Sequence, residues 1–220
     1  MGFGLIFIGY FFMMNIPIGG VDVLPDAIGC FIMLAGVGKL ILHCPENKWF
    51  RYSRIALIVF GILALFVLGD QLATASGMMS EPLEKYFFGP LKSVYTLAVG
   101  VYHVLLFLGI HELSVSVGLP KLANRARRMT ALTVVYYICE IASFAGLAGL
   151  IANMAENPDA VLSTINLIIY LIGSAWLLLT WMLLLTCYMR ICLEGDEDMP
   201  YRDNPHDQIV SYLKSKRKKR

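Results

Sequence analysis

VLSTINLIIYLIGSAWLLLTWMLLLTCYMRICL, residues 161–193, is an apolar run of 33 residues that contains one charge, Arg190. As a helix rising ~1.5 Å per residue it would extend ~50 Å, past a hydrocarbon core of ~30 Å, so it must tilt or project into the cytoplasm. Working outward, five more apolar stretches begin near Phe3, Ala27, Ile55, Val94 and Met129. Each is about 20 residues long, the length a spanning helix requires. Hydrophobic residues make up 58% of the chain and charged residues 15%. Soluble proteins hold ~45–50% apolar and ~25% charged residues, so no segment is left over for a soluble domain. The predicted fold is all-α: a polytopic membrane protein with a bundle of six transmembrane helices over residues 1–193, then an acidic-then-basic tail over 194–220.

The basic residues sort by connection. Lys39, Lys48, Arg51 and Arg54 flank the second connection, and Lys121, Arg125, Arg127 and Arg128 the fourth. Arg190, Arg202, Lys214, Lys216, Arg217, Lys218, Lys219 and Arg220 follow the last span, so only Lys85 and Lys92 of the 18 lysines and arginines remain for the other side. The positive-inside rule then predicts cytoplasmic N- and C-termini. The formal charge of +2 hides this asymmetry, because Asp22, Asp26, Asp70, Glu81, Glu84, Glu156 and Asp159 fall on the outer side. Six of the last seven residues are basic, namely Lys214, Lys216, Arg217, Lys218, Lys219 and Arg220. Two uses stay open for them: holding the tail on anionic lipid, at ~1 kcal/mol per cation, or acting only as a solvated topological determinant. Nucleic acid is not an expected partner, since no base-reading module accompanies the tail.

Cys30, Cys44, Cys139, Cys187 and Cys192 show neither C-x-x-C nor zinc spacing and read as apolar thiols, so no metal or cofactor is expected. The first apolar run lacks a basic n-region and a small-residue cleavage signal and is expected to be retained. Pro17 to Asp26 is short and rich in turn formers, a tight outer hairpin, with Pro25 and Asp26 suited to open the second helix. Asp22 and Asp26 are read there as helix-capping residues, with ion binding as the alternative. The third connection, 70–92, is the longest outer one. Gly29, Gly38, Leu42 and Arg54 align with Gly100, Gly109, Leu113 and Arg125 at an offset of 71, as a duplication of helical hairpins would produce.

Gly20-Val21-Asp22-Val23-Leu24-Pro25-Asp26-Ala27-Ile28-Gly29, followed by Gly38-Lys39-Leu40, resembles the opening of uncharacterised multi-pass membrane proteins of Gram-positive, Clostridia-like bacteria. The resemblance covers the first hairpin and implies a bacterial plasma membrane. It implies no activity and no site residues.

Ionisable groups at mid-membrane cost several kcal/mol and mark candidate sites. His103 falls ~14 Å from the outer end of the fourth apolar stretch and Glu140 ~16 Å from the cytoplasmic end of the fifth, so counting brings both near the midplane. At 100° per residue Thr133, Tyr136, Tyr137 and Ser143 share the Glu140 face, while Thr96 and Ser114 share that of His103. His103, Glu140, Tyr136 and Tyr137 form the candidate intramembrane polar site, read either as a structural hydrogen-bonded His103–Glu140 pair or as a proton- or substrate-binding pair. On the other face of the fifth helix, Ala142/Gly146, Ala145/Gly149 and Ala148/Ala152 are small-xxx-small steps that permit close helix approach.

Enzymatic readings fail on spacing. His111-Glu112 opens like H-E-x-x-H, but position 115 is Val115. Thr74-Ala75-Ser76-Gly77 resembles the serine motif of rhomboid proteases, yet the sixth span holds no histidine to act as base. A non-enzymatic protein is expected: a small transporter or a membrane subunit of a transport system, acting alone, as a homo-oligomer or with a partner subunit. The alternative is a non-transporting scaffold or sensor with a basic cytoplasmic tail.

Overall fold

The structure, a computed structural model, describes residues 2–13, 17–18, 21–22, 26–77, 87, 89–144, 146, 149, 153–154 and 157–191. Its helices are α1 (Gly2–Gly9, continued by a 3-10 turn at Tyr10–Met13), α2 (Asp26–His43), α3 (Lys48–Ala75), α4 (Gly89–Ser116), α5 (Pro120–Phe144) and α6 (Pro158–Arg190). Between α1 and α2, strands β1 (Pro17–Ile18) and β2 (Val21–Asp22) pair antiparallel, with Pro17 opposite Asp22. Among the described residues this two-residue ladder is the only sheet, and the other elements are helices.

Local chemistry fixes the helix ends. Asn47 caps α3 by accepting from the Trp49 N–H at 3.1 Å. Asn157 caps α6, where Pro158 sits at a position whose missing N–H costs nothing. Gly118, at φ +72°, ends α4 in a Schellman motif: Leu119 N–H reaches Ser114 O at 2.8 Å and Gly118 N–H reaches Val115 O at 3.1 Å.

Four helices, α2, α3, α6 and the part of α4 from Pro90 to Ser116, are long and apolar enough to cross a membrane. The other two depart from the expected 20-residue spans. α1 has eight residues and its 3-10 turn four, ~20 Å together. α5 spends its first turns on Lys121, Arg125, Arg127 and Arg128, and its described part stops at Phe144. The outward faces of α3 and α6 are apolar, with Ile55, Ile62 and Phe66 on one and Leu167, Leu171 and Met182 on the other all exposed. Such continuous exposed apolar surface is what contact with lipid calls for.

Each helix packs on the next in sequence, and α6 closes the ring on α1. Sequential neighbours run antiparallel: Gly2 meets Gly36 and Gly9 meets Gly29, while Gly100 meets Tyr137. Phe3, Tyr10, Met33, Phe60, Tyr102 and Leu184 fill the interior. The closest backbone approach joins α1 to α2. A Cβ at Gly36 would lie 2.6 Å from Gly2 O, and one at Gly29 2.6 Å from Gly9 O. Of these glycines only Gly29 stands out in the sequence, in the 71-residue offset and the Gly20–Gly29 block and not as a packing residue. The small-residue contact expected on the fifth helix is absent at the described positions: Gly146 has φ +87° beyond the end of α5, and both it and Gly149 face open space. Ala145, Ala148 and Ala152 lie outside the described residues. Of the glycine pairs of the 71-residue offset, Gly29 and Gly100 both meet a neighbouring helix closely, whereas Gly38 faces open space and Gly109 lies under the Phe50 ring.

Asp70 and Lys92, expected in the third connection, lie instead within α3 and α4. They form an ion pair at 2.9 Å in which the Asp70 side chain is 4% exposed and Lys92 42%. Removing the lysine strands a buried carboxylate, whereas removing the carboxylate leaves a lysine that can turn to water. Lys92→Met is therefore expected to cost about 2–3 kcal/mol, below the ~3–5 kcal/mol of a fully buried pair, and Asp70→Asn distinctly less. Thermal unfolding in detergent checks the order, and equal losses would show that the lysine is not the needed countercharge.

Candidate functional site

The site is assembled from α4, α5 and α6, with the start of α2 contributing at one end. Adjacent tyrosines on α5 point into two neighbours, and a glycine seats each. A Cβ at Gly100 on α4 would lie 2.9 Å from the Tyr137 ring, and one at Gly173 on α6 would lie 2.7 Å from the Tyr136 hydroxyl. Only hydrogen at these two positions lets both rings come that close. Trp176, one turn from Gly173, stacks on Tyr136 at 5.4 Å and 17° and meets Tyr137 edge-on at 5.6 Å. Its indole N–H donates to Thr133 Oγ at 2.8 Å, within the buried interior. This bond satisfies a donor that would otherwise be stranded in a low-dielectric bundle.

His103 lies behind this wall. It is fully buried and ringed by Tyr10, Tyr102, Phe107, Tyr137 and Trp176, the nearest centroid being that of Trp176 at 4.6 Å. Its Nδ1 lies 2.7 Å from Val99 O. A carbonyl only accepts, so the geometry assigns the hydrogen to Nδ1. Among the described residues Nε2 has no hydrogen-bond partner.

No hydrogen bond or ion pair joins His103 to Glu140, contrary to the structural-pair reading. His103 is level with Tyr137 and Trp176, and Glu140 is three residues further along α5, ~4.5 Å towards its end. The Glu140 carboxylate instead interacts with the Tyr136 hydroxyl one turn back on its own helix. Glu140 is half-buried and borders a cavity of about 690 Å³ that Tyr136, Tyr137 and Trp176 also line. Asp26 borders the same cavity from the first turn of α2, its carboxylate accepting from the Tyr95 hydroxyl of α4. The expected capping position of Asp26 thus coincides with a second role at the cavity rim. Three of the four candidate residues, Tyr136, Tyr137 and Glu140, share the cavity, and His103 does not line it.

Asp26, Tyr95 and Trp176 are the site residues that sequence reasoning did not assign to it. The one signal in reach was the indole N–H of Trp176, which at membrane depth requires an acceptor on a neighbouring helix. Among the described residues no three of His, Cys, Asp and Glu gather as metal ligands. His111, the first residue of the incomplete zinc pattern, has Nδ1 3.0 Å from Ala123 O and ties α4 to α5. The tail cations Lys214, Lys216, Arg217, Lys218, Lys219 and Arg220 lie outside the described residues. No protein-family model, characterised protein or solved structure matches the chain, and the cavity is therefore read from its own residues.

Proposed function

We propose that the protein is a small integral membrane transporter, or the membrane subunit of a transport system, that takes its substrate into the cavity between α4, α5 and α6. The observation that carries this reading is the cavity of about 690 Å³ bordered by Glu140 and Asp26. Its size lies in the ~300–1,000 Å³ range of small-molecule sites, and carboxylates are held among apolar helices at a cost that function explains. A scaffold needs packed contacts such as the ring cage around His103, but has no use for such a cavity. Both termini are cytoplasmic and all six helices serve as the spans of a bacterial plasma-membrane protein. The antiparallel succession of helices supports this orientation, since it gathers Lys39, Arg51, Arg125 and Arg190 at one end. In this orientation the cavity reaches the start of α2, on the outer side, through Asp26.

Labelling tests the orientation. A cysteine introduced at position 84 should react with an impermeant maleimide on intact cells, and reaction only after lysis would overturn the six-span arrangement. For the activity, proteoliposomes carrying the wild type should accumulate or release substrate and those carrying Glu140→Gln should not, at unchanged thermal stability. Parallel loss of both would make Glu140 a structural residue.

A further inference from the structure

At the end of the bundle where α5 begins and α6 stops, cations flank the groove between these two helices, and we infer that it binds the phosphate of an anionic phospholipid. This site is separate from the cavity and does not depend on transport. The register of the two helices builds it. Tyr136 of α5 rests on Gly173 of α6, Thr133 accepts from Trp176, and Arg125 Nη1 donates to Thr186 Oγ1 at 3.4 Å. The helices therefore run antiparallel at nearly equal steps. One turn further on each, Lys121 and Arg190 come about level, since Lys121 precedes Arg125 and Arg190 follows Thr186 by the same spacing. Arg128, three positions after Arg125 and so on its face of α5, extends the row. Lys121, Arg125, Arg128 and Arg190 are all exposed. Packed helices lie ~8–10 Å apart, so side chains as long as lysine and arginine reach one phosphate from both walls. Guanidinium groups suit that anion because their paired N–H donors match its oxygens.

The surface that continues the groove inward favours a lipid over other anions. Val135, two helical turns beyond Arg128, and Leu179, two turns back from Thr186, are both exposed. Met182, about level with Arg128, is exposed as well. Acyl chains would cover these side chains while the headgroup stays with the cations, as in basic pockets between membrane helices. The acidic segment from Glu194 to Asp198, which lies outside the described residues, could offer charge to the groove but no such chain.

The test uses the full-length chain in detergent and two lipids with the same acyl chains, phosphatidylglycerol and phosphatidylcholine, read by native mass spectrometry and thermal stabilisation. Phosphatidylglycerol should bind at least ~10-fold more tightly, and the preference should fall as salt rises. Lys121→Gln combined with Arg190→Gln should remove most of it. Arg125→Gln should weaken phosphatidylglycerol ~5-fold, the worth of one cation near a lipid headgroup. Thr186→Val, which removes the hydrogen bond and keeps the charge, should not. Neutralising Lys214, Lys216, Arg217, Lys218, Lys219 and Arg220 together should leave the preference standing. Its loss in that tail variant, or its survival in the Lys121 and Arg190 double variant, would overturn the groove as the site. Glycerol phosphate competing as well as phosphatidylglycerol would overturn the lipid in favour of a soluble anion. A gain of ~10-fold on neutralising Glu194, Asp196, Glu197 and Asp198 would show instead that the acidic segment occupies the groove.

Discussion

Gly36→Ala and Gly29→Ala are each expected to lower the stability of the protein by about 1–3 kcal/mol, while Gly38→Ala, two residues from Gly36 on the same helix, should leave it unchanged or raise it. The contrast follows from what a methyl group would meet. At Gly36 it would lie 2.6 Å from Gly2 O, 2.8 Å from Ile6 Cγ1 and 3.0 Å from Ile6 N. Two of these three are backbone atoms, so the strain cannot be relieved by a side-chain rotation and α1 must move as a body. At Gly29 the neighbours are Gly9 O at 2.6 Å and Phe12 Cβ at 2.9 Å. Nothing lies within 4 Å of a Cβ at Gly38, where the substitution gains only the ~1 kcal/mol of helix propensity that alanine has over glycine. Thermal unfolding of the three variants in one detergent is sufficient. Equal behaviour of Gly36→Ala and Gly38→Ala would mean that α1 does not sit against α2 at this distance. Displacement of α1 also loosens its contact with α6, through Phe7, Phe11 and Trp181, and so opens the ring.

The helices that sequence reading located best are those where hydropathy alone decides, α2, α3, α4 and α6. The run quoted from Val161 has the same length as α6 but lies three residues later, because Asn157 and Pro158 start the helix ahead of the apolar signal. α5 was less legible. Its apolar run continues in composition through the Ala and Gly steps after Ala142, whereas Gly146 adopts a left-handed φ of +87°. In composition a glycine that permits close packing and a glycine that turns the chain look alike. Gly2, Gly9, Gly29 and Gly36 illustrate the converse, since their seven-residue spacing matches two helical turns and escapes a search for steps of four.

The candidate site was legible in its residues and not in its register. Tyr136, Tyr137 and Glu140 were drawn together by helical phase on one element, which is local information. The level of His103 against them depends on how α4 slides along α5, and that is set by Tyr137 resting on Gly100. Counting from the apolar boundaries could not detect that contact, so His103 and Glu140 were brought to one depth when they differ by about a turn. Asp26 entered as a capping residue because its partner, Tyr95, is 69 positions away.

Trp176→Ala is expected to produce the largest single loss of stability, about 3–5 kcal/mol, because it removes the ring that His103, Tyr136 and Tyr137 all pack against. Two smaller changes separate the ring from its hydrogen bond. Thr133→Val keeps the volume and leaves the indole N–H buried with no acceptor, which should cost about 1–3 kcal/mol. Trp176→Phe keeps an aromatic ring, creates a smaller void and leaves only a hydroxyl without its donor. The hydrogen bond of 2.8 Å couples the two positions, so the double variant should be less damaging than the sum of the single ones by about 0.5–1.5 kcal/mol. Unfolding of the four proteins in detergent gives the cycle directly. Strict additivity would mean that Thr133 does not accept from Trp176, and the wall between His103 and the cavity would then be held by ring packing alone. A coupling in the expected range would identify this bond as the one that fixes the indole. Trp176 also touches His103 on one side and lines the cavity that Glu140 borders on the other, so the same bond holds both faces of this wall.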